Sequence, residues 1–316
     1  MGNYAIETVG LNFNFGNQAI VKDLSLQVPK GSIYGFLGPN GAGKTTTIKI
    51  LLNLLKSPSD QVFIFGKEVN NNRIAILKRV GALVEQPAIY GHLTGKENLI
   101  NRCILLGIKK SKANEMLALV GLTDAADKKS SKYSLGMKQR LGIALALVSD
   151  PELLLLDEPT NGLDPNGIIE VRNLMLELAV KHHKTILVSS HLLAEIERTA
   201  THVGIINKGQ LLFQGTIDEL HQLSKPMLEI EVNDTEKAGE LILKSGYQIA
   251  GQTDKKITVP FTSAQHSAAL NALLVQNGFK VSSLYQQRKD LENLFLDITK
   301  NNWYALFIHL VSIRIL

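Results

Sequence analysis

The chain has 316 residues, with 34 lysines and arginines against 29 aspartates and glutamates, and it carries one cysteine. This length exceeds one average domain and favours two domains, or one large domain with an appendage. With 45% hydrophobic and 20% charged residues, the composition excludes wholesale disorder. Because Cys103 cannot form an internal disulfide, the sequence indicates a reducing compartment. The net charge is a mild +5, and the chain has two short lysine-rich runs. We interpret these runs as solvent-exposed helix faces rather than as a nucleic-acid-binding surface.

The sequence predicts neither a targeting signal nor a membrane span. Residues 1–10 lack a basic region followed by an apolar run, so we expect no signal peptide. No stretch approaches the roughly 20 apolar residues that cross a bilayer. Residues 303–316 are apolar but short, which leaves open an interfacial anchor, a tail that docks on the body, or a reading-frame error. We favour the last two.

Hydrophobic spacing predicts alternating strands and helices over the first two thirds of the chain. We expect short strands over 6–28, a buried strand at 32–37, a helix from 45, a strand at 62–65, mainly helix over 85–148, a buried strand at 153–156, a helix over 168–178, a strand at 185–189, a helix from 192, and strands at 203–206 and 211–213. Thr94 and Glu97 match a capping box at a helix start. The alternation implies a mostly parallel sheet with crossovers.

After residue 224 the pattern changes to that of a small α+β appendage. We expect strands at 227–232, 256–259 and 279–284, helices around 241–243 and 268–274, and a last apolar segment at 291–298. The appendage is expected either to regulate the larger domain or assist its dimerisation, or simply to cap it.

Residues 38–45, Gly-Pro-Asn-Gly-Ala-Gly-Lys-Thr, fit G-x-x-x-x-G-K-[ST] between a predicted strand and a predicted helix. Glycines let backbone amides approach phosphate oxygens, and the helix start presents unpaired N–H groups to the anion. Lys44 adds a charge at the terminal phosphates, and Thr45 offers a hydroxyl to Mg²⁺. We interpret the segment as a nucleotide-binding loop rather than a glycine-rich turn. The expected binding residues are Gly38, Pro39, Asn40, Gly41, Ala42, Gly43, Lys44, Thr45 and Thr46.

Two acidic residues follow the buried strand at 153–156. Asp157 and Glu158 are expected at its carboxyl end, which is where α/β sheets place their sites. Asp157 is predicted to hold Mg²⁺, and Glu158 to orient or deprotonate the attacking water. Since an apolar strand ending in Asp-Glu is common by itself, this prediction depends on the nucleotide-binding loop.

Further segments occur in the order of one protein family. Residues 134–140, Ser-Leu-Gly-Met-Lys-Gln-Arg, resemble the signature motif of ABC ATPases, usually Leu-Ser-Gly-Gly-Gln, and residues 161–164 resemble their D-loop. His191 resembles the switch histidine, and Phe15 the aromatic that stacks on adenine. The resemblance covers roughly residues 4–225. It implies the α/β fold of a P-loop ABC cassette, with a mixed sheet, an antiparallel β subdomain and a helical signature subdomain.

The resemblance also implies ATP and Mg²⁺ as cofactors and catalytic roles for Lys44, Glu158 and His191. In the family, the residues matching Ser134 and Gly136 bind the γ-phosphate held by a partner subunit in a head-to-tail dimer, and the residue matching Asp164 bridges the two sites. Simpler interpretations stay open: Phe15 as a core aromatic, His191 as a helix cap, and Ser134 with Gly136 as a helix start.

Two positions depart from the family pattern. Leu135 replaces the first signature glycine and Met137 the glutamine, so one polar contact is lost while the Ser134 hydroxyl and Gly136 amide remain. Glu85 stands where the family usually has a glutamine that touches Mg²⁺, and a glutamate keeps an oxygen ligand for a hard cation. Another register would give this role to Gln86, and we prefer Glu85.

The glutamate and residues 133–144 are similar to the ATP-binding subunits of bacitracin-resistance and lantibiotic-immunity exporters. This resemblance implies expulsion of a peptide antibiotic at the cytoplasmic face of the membrane. The implied partners are a second ATP-binding subunit and a separate permease. The helical region at 85–106 is expected to transmit closure of the dimer to the permease. No nucleic acid is expected as a partner. The alternatives are the ATPase subunit of another multidrug or nutrient ABC transporter and a soluble ABC ATPase of DNA repair or translation. The expected domains are a cassette at 4–225 (helical subdomain about 86–150), an accessory domain at 226–300 and an apolar tail at 301–316.

Overall fold

The computed structural model describes residues 3–223 and 226–288. The chain divides into two compact units, of which the first extends to Ile217 and the second begins at Asp218. The predicted apolar segment at 291–298 and the apolar tail at 301–316 lie outside the described residues. None of the helices within 3–223 and 226–288 has the length and apolar character needed to traverse a bilayer.

The first unit combines three β-structures with helices. Its strands are β1 (Tyr4–Thr8), β2 (Leu11–Phe15), β3 (Gln18–Leu24), β4 (Gln27–Pro29), β5 (Ile33–Leu37), β6 (Val62–Ile64), β7 (Lys67–Glu68), β8 (Val80–Leu83), β9 (Leu153–Asp157), β10 (Thr185–Ser190), β11 (His202–Asn207) and β12 (Gln210–Thr216). The helices up to residue 223 are α1 (Lys44–Leu51), α2 (Val69–Leu77), α3 (Gly95–Leu105), α4 (Lys112–Leu119), α5 (Leu135–Leu147), α6 (Pro165–Val180), α7 (Leu193–Glu197) and α8 (Ile217–Leu223).

A six-stranded sheet in the order β12-β11-β5-β10-β9-β8 forms the centre of this unit. The pairs from β11 to β8 are parallel, and β12 is antiparallel to β11. Every residue of β5, β9 and β10 is buried. Since parallel strands covered on both faces read as continuous apolar runs, this burial explains why the sequence predicted all three.

The register aligns the carboxyl ends of the central strands. Ser190 of β10 lies beside Leu37 of β5, and Ser189 lies beside Asp157 of β9. The segments that follow β5, β9 and β10 therefore start at the same edge of the sheet, as expected for an α/β site.

Antiparallel strands and a helical segment complete the first unit. Strands β4, β1, β6 and β7 form a second sheet, and β2 and β3 form a hairpin. Helices α3, α4 and α5 fill the region that was predicted to be mainly helical. The predicted capping box is confirmed: the Thr94 hydroxyl accepts the Glu97 amide at 3.1 Å, and the Glu97 carboxylate accepts the Thr94 amide at 2.7 Å.

Strand β8 was not predicted, because two of its four residues are the small Gly81 and Ala82. The structure shows why a small residue is needed. A Cβ on Gly81 would lie 2.4 Å from the carbonyl oxygen of Ala146, since α5 packs closely on this strand. The close packing of α5 on β8 requires small residues, and small residues weaken the hydrophobic pattern by which a strand is predicted.

After α8, the described part of the second unit contains a four-stranded antiparallel sheet and two further helices. Its elements are β13 (Pro226–Val232), α9 (Thr235–Lys244), β14 (Gly251–Gln252), β15 (Lys256–Pro260), α10 (Ala264–Gln276) and β16 (Val281–Arg288). The chain order β-α-β-β-α-β and the sheet order β14-β15-β13-β16 define a ferredoxin-like fold. Its core joins the sheet to the helices through residues that include Leu228, Ile230, Ile242, Ile257 and Leu270. The predicted α+β character of this region is confirmed.

Candidate nucleotide-binding site

The glycine-rich loop connects β5 to α1 and adopts backbone conformations that favour glycine. Gly41 and Gly43 have φ angles of 78° and 109°. A Cβ on Gly38 would lie 2.3 Å from the carbonyl oxygen of Ile206, so this position admits no side chain. No described side chain caps the start of α1, and its first turn contains no acidic residue. These free N–H groups and the helix dipole form an anion-binding surface.

Lys44 is the first residue of α1, and its side chain is only 6% exposed. The ammonium donates to the carbonyl oxygen of Gly38 at 2.6 Å and lies 3.1 Å from Oε1 of Glu158. A buried cation requires such partners, because burying an unpaired ion costs on the order of several kcal/mol. The loop therefore holds its lysine beside the acid that follows β9.

Thr45, Asp157 and Ser189 form a continuous hydrogen-bonded set. The Thr45 hydroxyl donates to Oδ2 of Asp157 at 2.8 Å, and the Ser189 hydroxyl donates to Oδ1 of the same carboxylate at 2.6 Å. The backbone amide of Glu158 donates in turn to the Ser189 oxygen at 2.9 Å. Thr45 and Asp157 thus present neighbouring oxygen atoms, the ligand type that Mg²⁺ prefers.

Glu158 joins the loop to the residue that follows β10. Its Oε2 lies 2.8 Å from Nδ1 of His191, while its Oε1 contacts Lys44. Glu158 has a φ of 48°, a left-handed conformation that costs a residue with a side chain about 1 kcal/mol or more. Such strain persists only when the surroundings impose it, and here three contacts fix the residue.

The loop after β8 lies at the same cleft. A cleft of about 670 Å³ is lined by residues that include Thr45, Asp157 and Glu158, and also Glu85 and Gln86. The two residues proposed from the sequence for the metal-binding role, Glu85 and Gln86, therefore both line the cleft. Glu85, like Glu158, has a positive φ, of 59°.

Glu85 is bound to the helix that follows the nucleotide loop. Its Oε1 accepts the ammonium of Lys49 of α1 at 2.6 Å, although the Glu85 side chain remains 61% exposed. Exposure leaves the carboxylate accessible from the cleft, and the lysine offsets the negative charge that a glutamate adds beside a phosphate-binding loop.

The remaining predicted residues occupy surface positions. Phe15 ends β2, is 52% exposed and packs edge-on against Phe13 with ring centroids 5.1 Å apart. The hairpin that carries it reaches the nucleotide loop, since a Cβ on Gly43 would lie 3.0 Å from the carbonyl oxygen of Ile20 in β3. The exposure of Phe15 does not fit a core aromatic.

Ser134 and Asp164 cap two helices. Ser134 precedes α5 and accepts the Met137 amide at 3.2 Å, whereas Asp164 precedes α6 and accepts the Gly167 amide at 3.0 Å. Gly136 lies in the first turn of α5, close to Gly167. The described chain does not bring Ser134, Gly136 or Asp164 into the hydrogen-bonded set around Asp157.

Two residues of the site were not singled out from the sequence, Ser189 and Lys49. The available signal for Ser189 was the polar pair that ends an otherwise apolar buried strand, because a polar residue placed there needs a partner. Lys49 has no comparable signal, since its partner Glu85 lies 36 residues away along the chain.

The parallel sheet, the loop between β5 and α1 and the acid pair after β9 together define a P-loop nucleotide-binding protein. A family model described as "ABC transporter" matches residues 21–161. The chain is 44% identical to a bacitracin transport ATP-binding protein of Bacillus licheniformis, over 93% of this chain and 96% of the relative. It is 40% identical to one of Enterococcus faecalis, over 92% and 95%. A lantibiotic transport ATP-binding protein of Streptococcus pyogenes is 37% identical, over 68% and 92%.

Solved structures agree with these relatives. The ATP-binding subunit of an ABC transporter superposes with a TM-score of 0.62 at 28% identity, covering 69% of this chain and 92% of the other. A second structure, cbiO1 of Clostridium perfringens, has a TM-score of 0.65 at 22% identity, covers 77% and 96%, and supports the fold alone. The chain belongs to the ATP-binding proteins of ABC transporters, which bind and hydrolyse ATP. The predicted ABC cassette fold is confirmed.

Proposed function

We propose that this protein is the motor subunit of an exporter that expels a peptide antibiotic of the bacitracin or lantibiotic type. The similarity to two bacitracin transport ATP-binding proteins carries this proposal, because it extends over at least 92% of this chain and so includes both compact units. The lantibiotic transport relative matches 68% of the chain. ATP hydrolysis drives the cycle, and a separate permease forms the path for the peptide.

We assign Mg²⁺ to Thr45 and Asp157, with Glu85 as a further oxygen ligand. The donor set supports this assignment, since the Thr45 and Asp157 oxygens lie 2.8 Å apart and Glu85 lines the same cleft. Bound Mg²⁺ supplies Lewis-acid stabilisation of phosphate charge. Lys44 binds the terminal phosphates at the start of α1, residues 38–46 bind the triphosphate through their amides, and Phe15 stacks on the adenine.

Glu158 is assigned the role of orienting or deprotonating the attacking water. The contact between Glu158 and Nδ1 of His191 supports a paired role, in which the histidine holds the carboxylate and contacts the γ-phosphate. The contact between Glu158 and Lys44 also supports this role, since Lys44 is the residue that we assign to the terminal phosphates. The two contacts fix the Glu158 carboxylate beside the proposed phosphate site, and a base held there supports hydrolysis by water.

A second copy of the chain is proposed to complete the site in a head-to-tail dimer. Ser134 is exposed at the start of α5, where helix N–H groups and the positive dipole end favour an anion. Gly136 contributes a further amide in the first turn of α5, and Asp164 bridges the two sites. Since no hydrogen bond described in one chain joins these residues to the set around Asp157, a partner's nucleotide is the ligand that we assign to Ser134 and Gly136.

The permease is proposed to dock beside α3, at the cytoplasmic face of the membrane. A groove of about 370 Å³ there is lined by residues that include Leu54, Val84, Tyr90, Arg102 and Leu105. The Leu54, Tyr90 and Leu105 side chains are more than half exposed, and together they offer an apolar surface to a protein partner. The groove also includes Gln86, which lines the nucleotide cleft as well. Movement at the cleft is therefore transmitted to the groove through this short segment.

A killing assay against a panel of peptide antibiotics tests the exporter function. Cells that express the wild-type chain with its permease are compared with cells that express Glu158→Gln, which removes the proposed base while keeping the side-chain size. Glu177→Gln is the matched control, since Glu177 is a surface acid of α6 paired with Lys181. We expect resistance to bacitracin or a lantibiotic with the wild type and the control, and its loss with Glu158→Gln. Equal sensitivity of all three strains to every compound rejects the proposal.

A further inference from the structure

We infer that Ser189 is a positioning residue for ATP hydrolysis, which fixes Asp157 and Glu158 relative to each other through one hydroxyl group. Ser189 is fully buried in β10, and its register partner in the neighbouring strand is Asp157. Residues paired in this way place their side chains on the same face of the sheet. The hydroxyl is therefore directed at the acid pair by the strand itself.

Both hydrogen-bonding functions of this hydroxyl are used at the site. The proton goes to Oδ1 of Asp157 at 2.6 Å, because an ionised carboxylate only accepts. The oxygen accepts the backbone amide of Glu158 at 2.9 Å. The adjacent Ser190 accepts the Leu192 amide at 3.0 Å instead, so the two serines have separate roles.

The bond to Asp157 orients the carboxylate. Since Oδ1 accepts Ser189 and Oδ2 accepts Thr45, rotation of the carboxylate breaks at least one bond in a buried site. Asp157 is only 2% exposed, so water cannot readily replace a lost donor. The oxygen that faces Thr45 is thereby held in the direction assigned to Mg²⁺.

The bond to the Glu158 amide stabilises a strained turn. Glu158 leaves β9 with a φ of 48°, and its amide bonds to the Ser189 side chain. This turn directs the Glu158 carboxylate toward Lys44 and His191. Without the serine hydroxyl, the amide loses its partner and the turn can relax toward an extended conformation. Displacement of a catalytic group by about 1 Å is enough to reduce turnover strongly.

The test measures ATP hydrolysis by the full chain as Ser189→Ala, Ser189→Thr and Thr185→Ala. Thr185 is the matched control, because its buried hydroxyl lies at the opposite end of β10 and accepts the Gly31 amide at 2.9 Å. For Ser189→Ala we expect kcat to fall about 10-fold or more and half-maximal activity to need about 10-fold more Mg²⁺, the loss typical of a hydrogen bond to a charged group. ATP binding measured in EDTA should stay within about 2-fold of the wild type, since Lys44 and the loop are unchanged.

Ser189→Thr restores the hydroxyl and is expected to recover the Mg²⁺ requirement to within about 3-fold. A purely structural role would lower the melting temperature of Ser189→Ala and Thr185→Ala alike without moving the Mg²⁺ requirement. Wild-type kcat and Mg²⁺ dependence in Ser189→Ala overturn the inference, and so does a Ser189→Thr variant as impaired as Ser189→Ala.

The inference rests on the proposed roles of Asp157 and Glu158, and Glu158→Gln measured in parallel separates the two failures. If Glu158→Gln hydrolyses ATP like the wild type, the assignment of the base is wrong. If Glu158→Gln is inactive while Ser189→Ala matches the wild type, the assignment of Ser189 alone is wrong.

Discussion

The ammonium of Lys44 lies 3.1 Å from Oε1 of Glu158, although Lys44 begins α1 and Glu158 follows β9, roughly a third of the chain later. Lys44, which we assign to the terminal phosphates, thus contacts the carboxylate of Glu158. A phosphate that binds Lys44 competes with this carboxylate and with the carbonyl oxygen of Gly38. If the proposed roles of Lys44 and Glu158 hold, the strength of ATP binding and the rate of hydrolysis depend on the same acid.

The first prediction concerns Glu158→Gln. We expect turnover to fall at least about 100-fold, since a positioned general base typically contributes 10²- to 10⁴-fold. We also expect tighter ATP binding, because an uncharged amide competes less strongly for Lys44. Single-turnover hydrolysis and equilibrium nucleotide binding measure the two effects. Glu177→Gln serves as the control, and ATP binding weaker than in the wild type would contradict the competition argument.

The second prediction concerns the ion pair between Lys49 and Glu85. We expect Glu85→Gln to raise the Mg²⁺ concentration for half-maximal hydrolysis, because a neutral ligand attracts the cation less. We expect Lys49→Met to lower that concentration, since it removes a positive charge and releases the carboxylate. Both side chains are substantially exposed, so the loss of stability should stay below about 1 kcal/mol.

A double-mutant cycle with Lys49→Met and Glu85→Gln checks this reasoning. If the two residues act through each other, the effect of Lys49→Met on the Mg²⁺ requirement disappears in the Glu85→Gln background. If Glu85→Gln by itself leaves the Mg²⁺ dependence unchanged, the proposal that Glu85 is an Mg²⁺ ligand is wrong. Gln86→Ala then becomes the variant to measure, because Gln86 lines the same cleft.

The third prediction concerns the packing of α5 against the loop after β8. In an open helix, glycine to alanine stabilises by about 1 kcal/mol. Gly142→Ala should instead destabilise by about 1–3 kcal/mol, because the new Cβ would lie 2.8 Å from Cβ of Pro87 and 3.0 Å from Cδ1 of Leu83. Chemical denaturation gives the sign. Gly91→Ala is the control, since its Cβ has ordinary contacts beginning at 3.6 Å, and a stabilised Gly142→Ala would show that the close packing is absent.

The fourth prediction concerns the pH dependence of the second unit. Glu229 of β13 accepts Lys256 at 2.8 Å and Tyr285 at 2.5 Å, and these hydrogen bonds lower the pKa of its carboxyl group. A carboxyl whose pKa is lowered by folding stabilises the folded state above its unfolded pKa of about 4.3. This stabilisation is lost as the pH falls through the lower pKa of the folded state.

Hydrogen exchange of β13 and β15 between about pH 3 and pH 6, corrected for intrinsic rates, measures this effect. We expect the wild type to be better protected than Glu229→Gln at pH 6 and the difference to shrink toward pH 3. Glu240→Gln is the control, because Glu240 pairs with Lys244 on the exposed surface of α9. A constant difference between the wild type and Glu229→Gln across this range would contradict the assigned origin of the pKa shift.

Local sequence patterns were sufficient for most of the elements and for the principal motifs. The loop at 38–45 was recognised because its function needs glycines, a lysine and a hydroxyl at fixed spacing within one turn. The acid pair was placed correctly because a buried parallel strand is a continuous apolar run that ends where the acids begin. The capping box of α3 was equally local, since both of its bonds join residues three apart.

The sequence by itself determined the class of the protein, the glycine-rich loop after β5, the position of the acid pair and the α+β character of the second unit. Only the tertiary structure decided that Ser189 bonds to Asp157, that Lys49 pairs with Glu85, and that the second unit has a ferredoxin-like strand order. The physical reason is the range of the interactions. Glycine turns, caps and apolar periodicity act within a few residues. These three features instead depend on which strands, helices and loops come together, and residues far apart in the chain determine that jointly.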